Sequence, residues 1–351
     1  MGETLYKHLL LDPSDVRWWA FVESNPQANA FHHPAWINLL AECYGYRPLV
    51  LTVCDATGSI GAGLPIMEIN SSLTGRRWVS LPFTDHCAPL YRDCESLDQL
   101  IRELVRLYQD GGAPRIEVRW DLVHPAIQTH SPYVLHTLRL DADAARVADH
   151  FDRTHRQNIR AAEKSQIYVQ WGKQLKDLRA YFNLQLETRH RQGIPSQPWR
   201  YFKALASVLF EEGLGSVLLA YKDGQCLAGI VLLHWQRTLI GKYAASREES
   251  LKLRPNHLLI WTAIRWGCEH GYTVFDMGRT DLENAGLRRF KRGWGAEETP
   301  LTYSTLFAQA SRPMTSRLMT SKLMPILQTV IRKSPLWVCR VLGELLYEQV
   351  G

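Results

Sequence analysis

A chain of 351 residues, 46% hydrophobic and 22% charged, can bury a large core and is neither disordered nor fibrous in composition. Its net charge of +6 favours an anionic partner but is too small for a general nucleic-acid coat, so DNA is not an expected partner. The seven cysteines form no C-x-x-C pair and no zinc-spaced Cys/His cluster, which points to reduced thiols and to no metal site.

Length favours two domains. The amino terminus lacks the basic and long apolar stretches of a signal peptide, and no apolar run approaches the roughly 18 residues of a membrane span. Pro34 opens a predicted helix over 33–45. Strands are expected at 48–55 and 59–69, joined by an Asp/Gly turn, and extended segments at 76–83 and 88–93. Leu97, Ile101, Leu104 and Leu107 mark one face of a helix over 95–112, and a strand at 114–120 returns after it. Helices are then predicted at 147–166, 175–192 and 198–213, strands at 216–223, 225–235 and 239–246, a helix at 255–271 and a strand at 273–279. A short helix crowded with Arg288, Arg289, Lys291 and Arg292 follows that strand.

The order of elements repeats. "CDATGSIGAGLPIM" and "YKDGQCLAGIVLL" are each a strand end, an Asp/Gly turn and an Ala-Gly step inside the next strand, so Ala62-Gly63 matches Ala228-Gly229. The chain is an α/β protein built from two copies of one unit. The expected divisions are 1–145, 146–310 and an amphipathic helical tail, 311–351.

The second copy has the element order of a GNAT acyltransferase, and the whole of residues 30–305 resembles the FemABX peptidyltransferases. The resemblance is carried by "NIRAAEK", "TRHRQGIP", "LRPNHLLIW" and "FDMGR…GLRRFKRGWGA". It is nearest to the FemAB-like GNAT proteins associated with exopolysaccharide and exosortase gene clusters, without the long helical arm of some Fem enzymes. The resemblance implies tandem GNAT-like domains, two central strands that splay around an acyl arm, and aminoacyl transfer from aminoacyl-tRNA to an amine without a metal. One feature departs from the common GNAT pattern. The loop before the 255–271 helix carries Arg254, Pro255, Asn256 and His257 where a coenzyme A enzyme has glycines, so the glycine-rich pyrophosphate grip is absent.

The resemblance assigns Lys291 of the "Phe-Lys" motif to the donor end and the developing oxyanion, as the catalytic residue. The bland alternative for this helix is a solvated basic face on which only Phe290 is buried, and that reading is preferred for Arg288 and Arg289. Asp85, at the end of a strand in the first copy, is expected to orient or deprotonate the acceptor amine. Arg153, Arg156, Arg160 and Lys164 recur at helical spacing, so Arg156 and Arg160 are candidate phosphate ligands, against the alternative of a solvated face. Arg189, Tyr243, Asn256 and Arg279 complete the candidate substrate-binding set. Arg279 is equally read as a partner for the strand carboxylate of Asp276.

The leading reading is an N-acyltransferase or aminoacyltransferase acting on an amine of a cell-envelope or exopolysaccharide precursor, with no tightly bound cofactor. The donor is an aminoacyl-tRNA or an acyl thioester, on coenzyme A or an acyl-carrier protein. A catalytically idle GNAT module in a polysaccharide assembly system is the contrasting class. The expected location is cytoplasmic, with residues 313–351 lying on the inner face of the membrane or, alternatively, packing back on the core.

Overall fold

Residues 6–113, 115–307 and 323–350 are described in the computed structural model, and the chain divides into two units. Unit 1 holds residues 1–132, 301–321 and 347–351, and unit 2 holds 133–300 and 322–346. The divisions fall after Pro132 and Pro300, each inside a strand, rather than in the loops near 145 and 310. Proline has no N–H for a ladder, so a strand can keep its extended path there while its pairing changes. The tail is not a third unit, because its residues are shared between the two.

In unit 1, β1 (Lys7–Leu11) pairs with β2 (Arg47–Cys54) after helices α1 (Val16–Ser24) and α2 (Pro34–Tyr44). His33 Nδ1 caps α2 by accepting the Ala35 N–H at 3.1 Å, and Gly45 ends it in the left-handed region at φ 68°. Then follow β3 (Ile60–Ser71), β4 (Gly75–Val79), the short β5 (Leu90–Tyr91), α3 (Cys94–Gln109), β6 (Ile116–Val118) and the start of β7 (Gln128–Arg139). β2, β3 and β4 run antiparallel in turn, and α3 is the crossover that sets β6 parallel to β4. The extended segment expected over 76–83 stops at Val79. Leu81 (φ 57°) and Phe83 (φ 60°) turn it away through left-handed backbone that bulky side chains rarely adopt.

Unit 2 begins at Tyr133 of β7 and continues with α4 (Ala144–Asp149), α5 (Arg153–Lys164), β8 (Tyr168–Gly172), α6 (Leu175–Gln192) and α7 (Trp199–Ala204). A π-helical stretch, Leu205–Phe210, extends α7. Next come β9 (Gly215–Lys222), β10 (Gln225–Trp235), β11 (Thr238–Ser246), α8 (Pro255–Glu269), β12 (Val274–Asp281), α9 (Ala285–Arg292) and β13 (Glu297–Leu306). The sheet order is β7-β12-β11-β10-β9-β8. Asp223 (φ 49°) and Gly224 (φ 75°) make the two-residue turn between β9 and β10, which needs positive φ at both positions. The single helix expected over 147–166 is two, α4 and α5. The chain breaks between them because Phe151 turns into the core and the Asp152 N–H donates to the Gly293 carbonyl at 2.8 Å.

The duplication is visible strand by strand. β9, β10 and β11 are antiparallel in turn, and α8 crosses over to set β12 parallel to β11, as α3 does between β4 and β6. The Ala-Gly steps fall in β3 and β10, and each glycine lets an aromatic ring lie on its strand. A Cβ at Gly63 would stand 2.6 Å from the Trp18 ring, and one at Gly229 would stand 2.8 Å from the Tyr181 ring.

The described tail forms α10 (Leu323–Lys333) and α11 (Leu336–Val350). Within unit 2, Ile331 and Cys339 are fully buried, His190 Nε2 lies 2.6 Å from the Ser334 carbonyl, and Glu344 accepts the Trp199 N–H at 3.1 Å. One face of the tail thus packs on the core. Residues 313–322 of the segment expected at the membrane lie outside the described residues.

Candidate active site

β11 and β12 pair over only three residue pairs, Thr238–Ile240 against Val274–Asp276. β11 then runs on to Ser246 and β12 to Asp281 without further pairing to each other. Two parted strands leave backbone N–H and C=O groups facing a gap, which suits an extended ligand arm. Each strand also carries a bulge. Val231 pairs with Tyr243 and Leu232 with Gly241, which makes Lys242 the extra residue of β11. On β12, Asp276 pairs with Thr137 and Arg279 with Leu135, so Met277 and Gly278 together oppose His136. Gly278 supplies the left-handed backbone (φ 72°), and its N–H donates to Asp276 Oδ1 at 2.7 Å.

Lys291 reaches this bulge from α9. Its ammonium donates to the Gly278 carbonyl at 2.8 Å and the Arg279 carbonyl at 3.1 Å. Among the residues of α9 it is the buried one, at 8% exposure, while Phe290 is only partly covered. The solvated-face reading is therefore wrong for this position. It is also wrong for Arg288, whose Nη2 and Nε donate to the two oxygens of Glu298 at 2.7 and 3.1 Å. Arg289 and Arg292 are exposed. Burial fixes α9 from its far end too: His155 Nε2 lies 2.9 Å from the Phe290 carbonyl, and any side chain at Gly293 would overlap the His155 ring. That glycine closes the basic motif quoted from the sequence, two residues after the lysine, and the overlap gives its physical reason.

The other candidates divide between the ends of the gap. Arg279 shares its carbonyl with Lys291, and its guanidinium lies 4.1 Å over the Tyr133 ring. Tyr243 is half-buried, and its hydroxyl meets that of Tyr201 at 3.0 Å. Ser246, at the end of β11, gathers the rest: its Oγ accepts from Asn256 Nδ2 at 3.4 Å, and its carbonyl accepts from Thr188 Oγ1 at 3.2 Å and Arg191 Nη2 at 3.3 Å. Arg189, the candidate beside Arg191, instead donates to Gln192 within α6. Sequence reasoning missed Lys242, Thr188, Tyr201 and Ser246. A lysine in an otherwise apolar strand was the one legible signal among them.

Arg153, Arg156, Arg160 and Lys164 are all exposed on α5, opposite buried His155, Ile159 and Ala162, and Arg156 Nη1 donates to the Asp149 carbonyl at 3.2 Å. α8 starts at Pro255 behind Arg254, which takes the left-handed conformation (φ 61°) that a glycine would adopt without strain. Burial, then the charges of His155 and Arg254, holds the His257 imidazole down to about 4, so that ring is neutral at pH 7. His257 Nε2 meets Asn158 Nδ2 at 3.1 Å, tying α8 to α5.

Asp85 belongs to unit 1. Its carbonyl accepts the Tyr303 hydroxyl at 2.6 Å, while Arg119 Nη1 donates to the Thr84 carbonyl at 2.7 Å. Four backbone positions under constraint, left-handed Leu81 and Phe83 and the bonded carbonyls of Thr84 and Asp85, thus fix the segment that carries the carboxylate. Beside it Cys87 is fully buried, and burial pushes its thiol up, which removes it as a nucleophile.

The strand order, the crossover helix, the parted strands and the basic helix after them define the GNAT fold, and residues 149–292 match the sequence profile of the acetyltransferase (GNAT) domain family. That match ends one residue beyond Lys291. The overall fold is that of FemX: a crystal structure of FemX superimposes with TM-score 0.69 at 16% identity, covering 90% of this chain and 100% of that one. L-PGS from Bacillus licheniformis superimposes with TM-score 0.57 at 15% identity, over 91% of this chain and 98% of that one. A lipid II:glycine glycyltransferase of Staphylococcus aureus is 33% identical over 81 residues, which is 21% of this chain and 19% of that protein's length. The resemblance seen in the sequence is thus borne out as tandem GNAT-like units of FemX architecture.

Proposed function

We propose that this chain transfers an aminoacyl or acyl group to an amine of a cell-envelope precursor, as the names of its relatives suggest. The observation that carries the reading is the gap between β11 and β12, with a buried lysine ammonium fixed at its edge on the β12 bulge. In the reaction the neutral acceptor amine attacks the donor carbonyl carbon. A C–N bond forms, the C–O bond of an ester or the C–S bond of a thioester breaks, and the leaving oxygen or sulfur takes up the proton that the amine gives away. Lys291 stabilises the charge that develops on the donor, Tyr243 and Asn256 line the approach along β11, and the exposed face of α5 holds donor phosphates through Arg156 and Arg160.

An aminoacyl-tRNA donor is preferred because the loop before α8 offers Arg254 and Pro255 where a phosphate-cradling glycine loop would stand. A thioester donor is the second reading, favoured by the match to an acetyltransferase domain. The test offers the purified chain aminoacyl-tRNA, acyl-CoA and acyl-carrier protein in turn with an amine-bearing envelope precursor, and weighs the product by mass spectrometry. Acetyl-CoA is expected not to bind in the low-micromolar range by calorimetry; such binding would move the choice to the thioester.

We further propose that the cytoplasmic face of the membrane is where the acceptor is met, through the uncovered side of the tail. Ile326 and Val330 on α10, and Trp337, Val341 and Leu345 on α11, recur four residues apart and are exposed, Trp337 at 63% and Leu345 at 65%, with Arg332, Lys333 and Arg340 among them. No described helix is long and apolar enough to cross a membrane. Deleting the tail would also remove buried Ile331 and Cys339. The better variant replaces Val330, Trp337, Val341 and Leu345 by Ser, and is expected to abolish flotation on anionic liposomes while Tm holds.

A further inference from the structure

His136 is the single β7 residue opposite the β12 bulge, and it is fully buried. Its Nε2 lies 3.0 Å from Glu298 Oε2 on β13, and Arg288 of α9 grips both oxygens of that carboxylate. The grip holds the Glu298 carboxyl down to about 2, so Glu298 can only accept, and the hydrogen must sit on Nε2. The lone pair is then on Nδ1, a buried atom with no hydrogen-bond partner. Arg288 and Lys291 stand three residues apart on α9, within one turn. The chain Arg288–Glu298–His136 therefore ties this helix to β13 and β7, and Lys291 ties it to the bulge of β12.

We propose that His136 is a positioning residue for the transfer reaction: clamped by Glu298 across from the bulge, it keeps α9 in place so that the Lys291 ammonium stays on the Gly278 and Arg279 carbonyls, and a proton on its Nδ1 undoes that placement. The inference rests on the reading of Lys291 as the group that acts on the donor. The charged groups that face His136 are Lys291 and Arg288 from α9 and Glu298 from β13. β12 opposes it with Met277 and Gly278, and the pairing puts Asp276 and Arg279 on the other face of the sheet. Burial, and then the Lys291 charge, holds the imidazole below its ordinary value, while Glu298 alone pulls the other way. An imidazolium here would add a second cation beside Lys291 with no acceptor for its Nδ1–H.

The experiment has two arms on the full chain. In the first, imidazole nitrogen shifts are followed by NMR across pH, with His136→Gln identifying the signal. The expected spectrum shows the neutral Nε2–H form at pH 7, and Lys291→Met raises the midpoint by about one pH unit, the size expected for removing one nearby charge. A midpoint unmoved by Lys291→Met overturns the inference whatever the enzyme does. In the second arm, single-turnover transfer is measured against pH. His136→Gln keeps a donor toward Glu298 but cannot titrate, so its rate is expected to fall several-fold at neutral pH with KM unchanged, and to lose the acid limb that the wild type shows. A retained acid limb, or a loss confined to KM, also overturns the inference. If the wild-type chain transfers nothing from any donor while the NMR coupling is present, the functional reading fails instead, and the positioning role goes with it.

Discussion

In the first repeat β4 and β6 meet over two residue pairs, after which β4 turns away and β6 ends; in the second, β11 and β12 meet over three and both run on. The surroundings differ accordingly. Beyond Val79 the first repeat bends through left-handed Leu81 and Phe83, and β13 pairs along β6. Beyond Ile240 and Asp276 the second repeat has a bulge on each strand and buried Lys242, Lys291, Asp276 and His136 nearby in the sheet or against it. One topology thus serves two ends. Where the parallel strands stop at their pairing they make scaffold, and where both overrun it they make a gap that charged groups can edge.

The largest effect that would break this contrast is at Lys291. Replacing it with Gln keeps an N–H donor for the bulge and removes the charge, and turnover is expected to fall by roughly 10²–10³, as for loss of one oxyanion donor. Lys291→Met should show the same loss and also a lower Tm, because it strands the two carbonyls that the ammonium now serves. Single-turnover rates and thermal melts on both variants separate the two effects. A wild-type rate in Lys291→Gln would reduce the second gap to scaffold as well.

The matched glycines sharpen the comparison at the level of packing. Gly63→Ala forces a methyl against the Trp18 ring, and Gly229→Ala forces one against Tyr181 and the flexible end of Leu219. Each is expected to cost about 1–3 kcal/mol by overpacking, with Gly63→Ala the larger, since both rings are fully buried but the approach to Trp18 is the closer, 2.6 Å against 2.8 Å. Urea unfolding of the two variants measures this; equal and negligible costs would dissolve the structural parallel between the steps.

Acid should weaken the buried histidines of both units first and the Arg288 grip on Glu298 later. Burial holds His32 and His33 in unit 1 and His234 and His257 in unit 2 to about 4. Each is neutral when folded, so stability is full above the unfolded value near 6.5 and falls as pH drops from there toward 4. Glu298 is depressed to about 2, so its contribution is full above the unfolded value near 4.5 and is lost only below that. Melting temperatures from pH 8 to 3 should therefore decline in two stages, and Glu298→Gln should remove the second. The smallest expected effect is at Arg254: Gly there relieves a left-handed arginine and should stabilise by about 1 kcal/mol, a shift read in the same melts.

Much of this was legible in the chain itself. Period-two and helical patterns with Asp/Gly turns located the two copies, because a turn such as Asp223-Gly224 needs no distant partner. Lys291 could be singled out by motif but not its burial. On α9 the period points Leu287 and Phe290 inward, yet Leu287 is exposed and Lys291 is covered, because the helix sits on turned-out carbonyls of a bulge. The bulges themselves left no trace, since a two-against-one register depends on the partner strand. β7 was not read at all: its proline and polar residues hide a strand whose key contact, His136 to Glu298, spans 162 residues.

The unit boundaries also set an order of manufacture. β6 is complete when Val118 leaves the ribosome, but its neighbour on one side, Ser304–Leu306 of β13, is synthesised only after nearly all of unit 2. At about 5–20 residues per second that strand edge waits on the order of 10–40 s for its partner. During this interval the nascent chain carries an open β-edge, the form of surface that holding chaperones cover and that misfolded chains pair through. Unit 2 waits as well, for residues 322–346. Both units draw on residues beyond 300, so a chain that stops short of that point leaves neither unit complete.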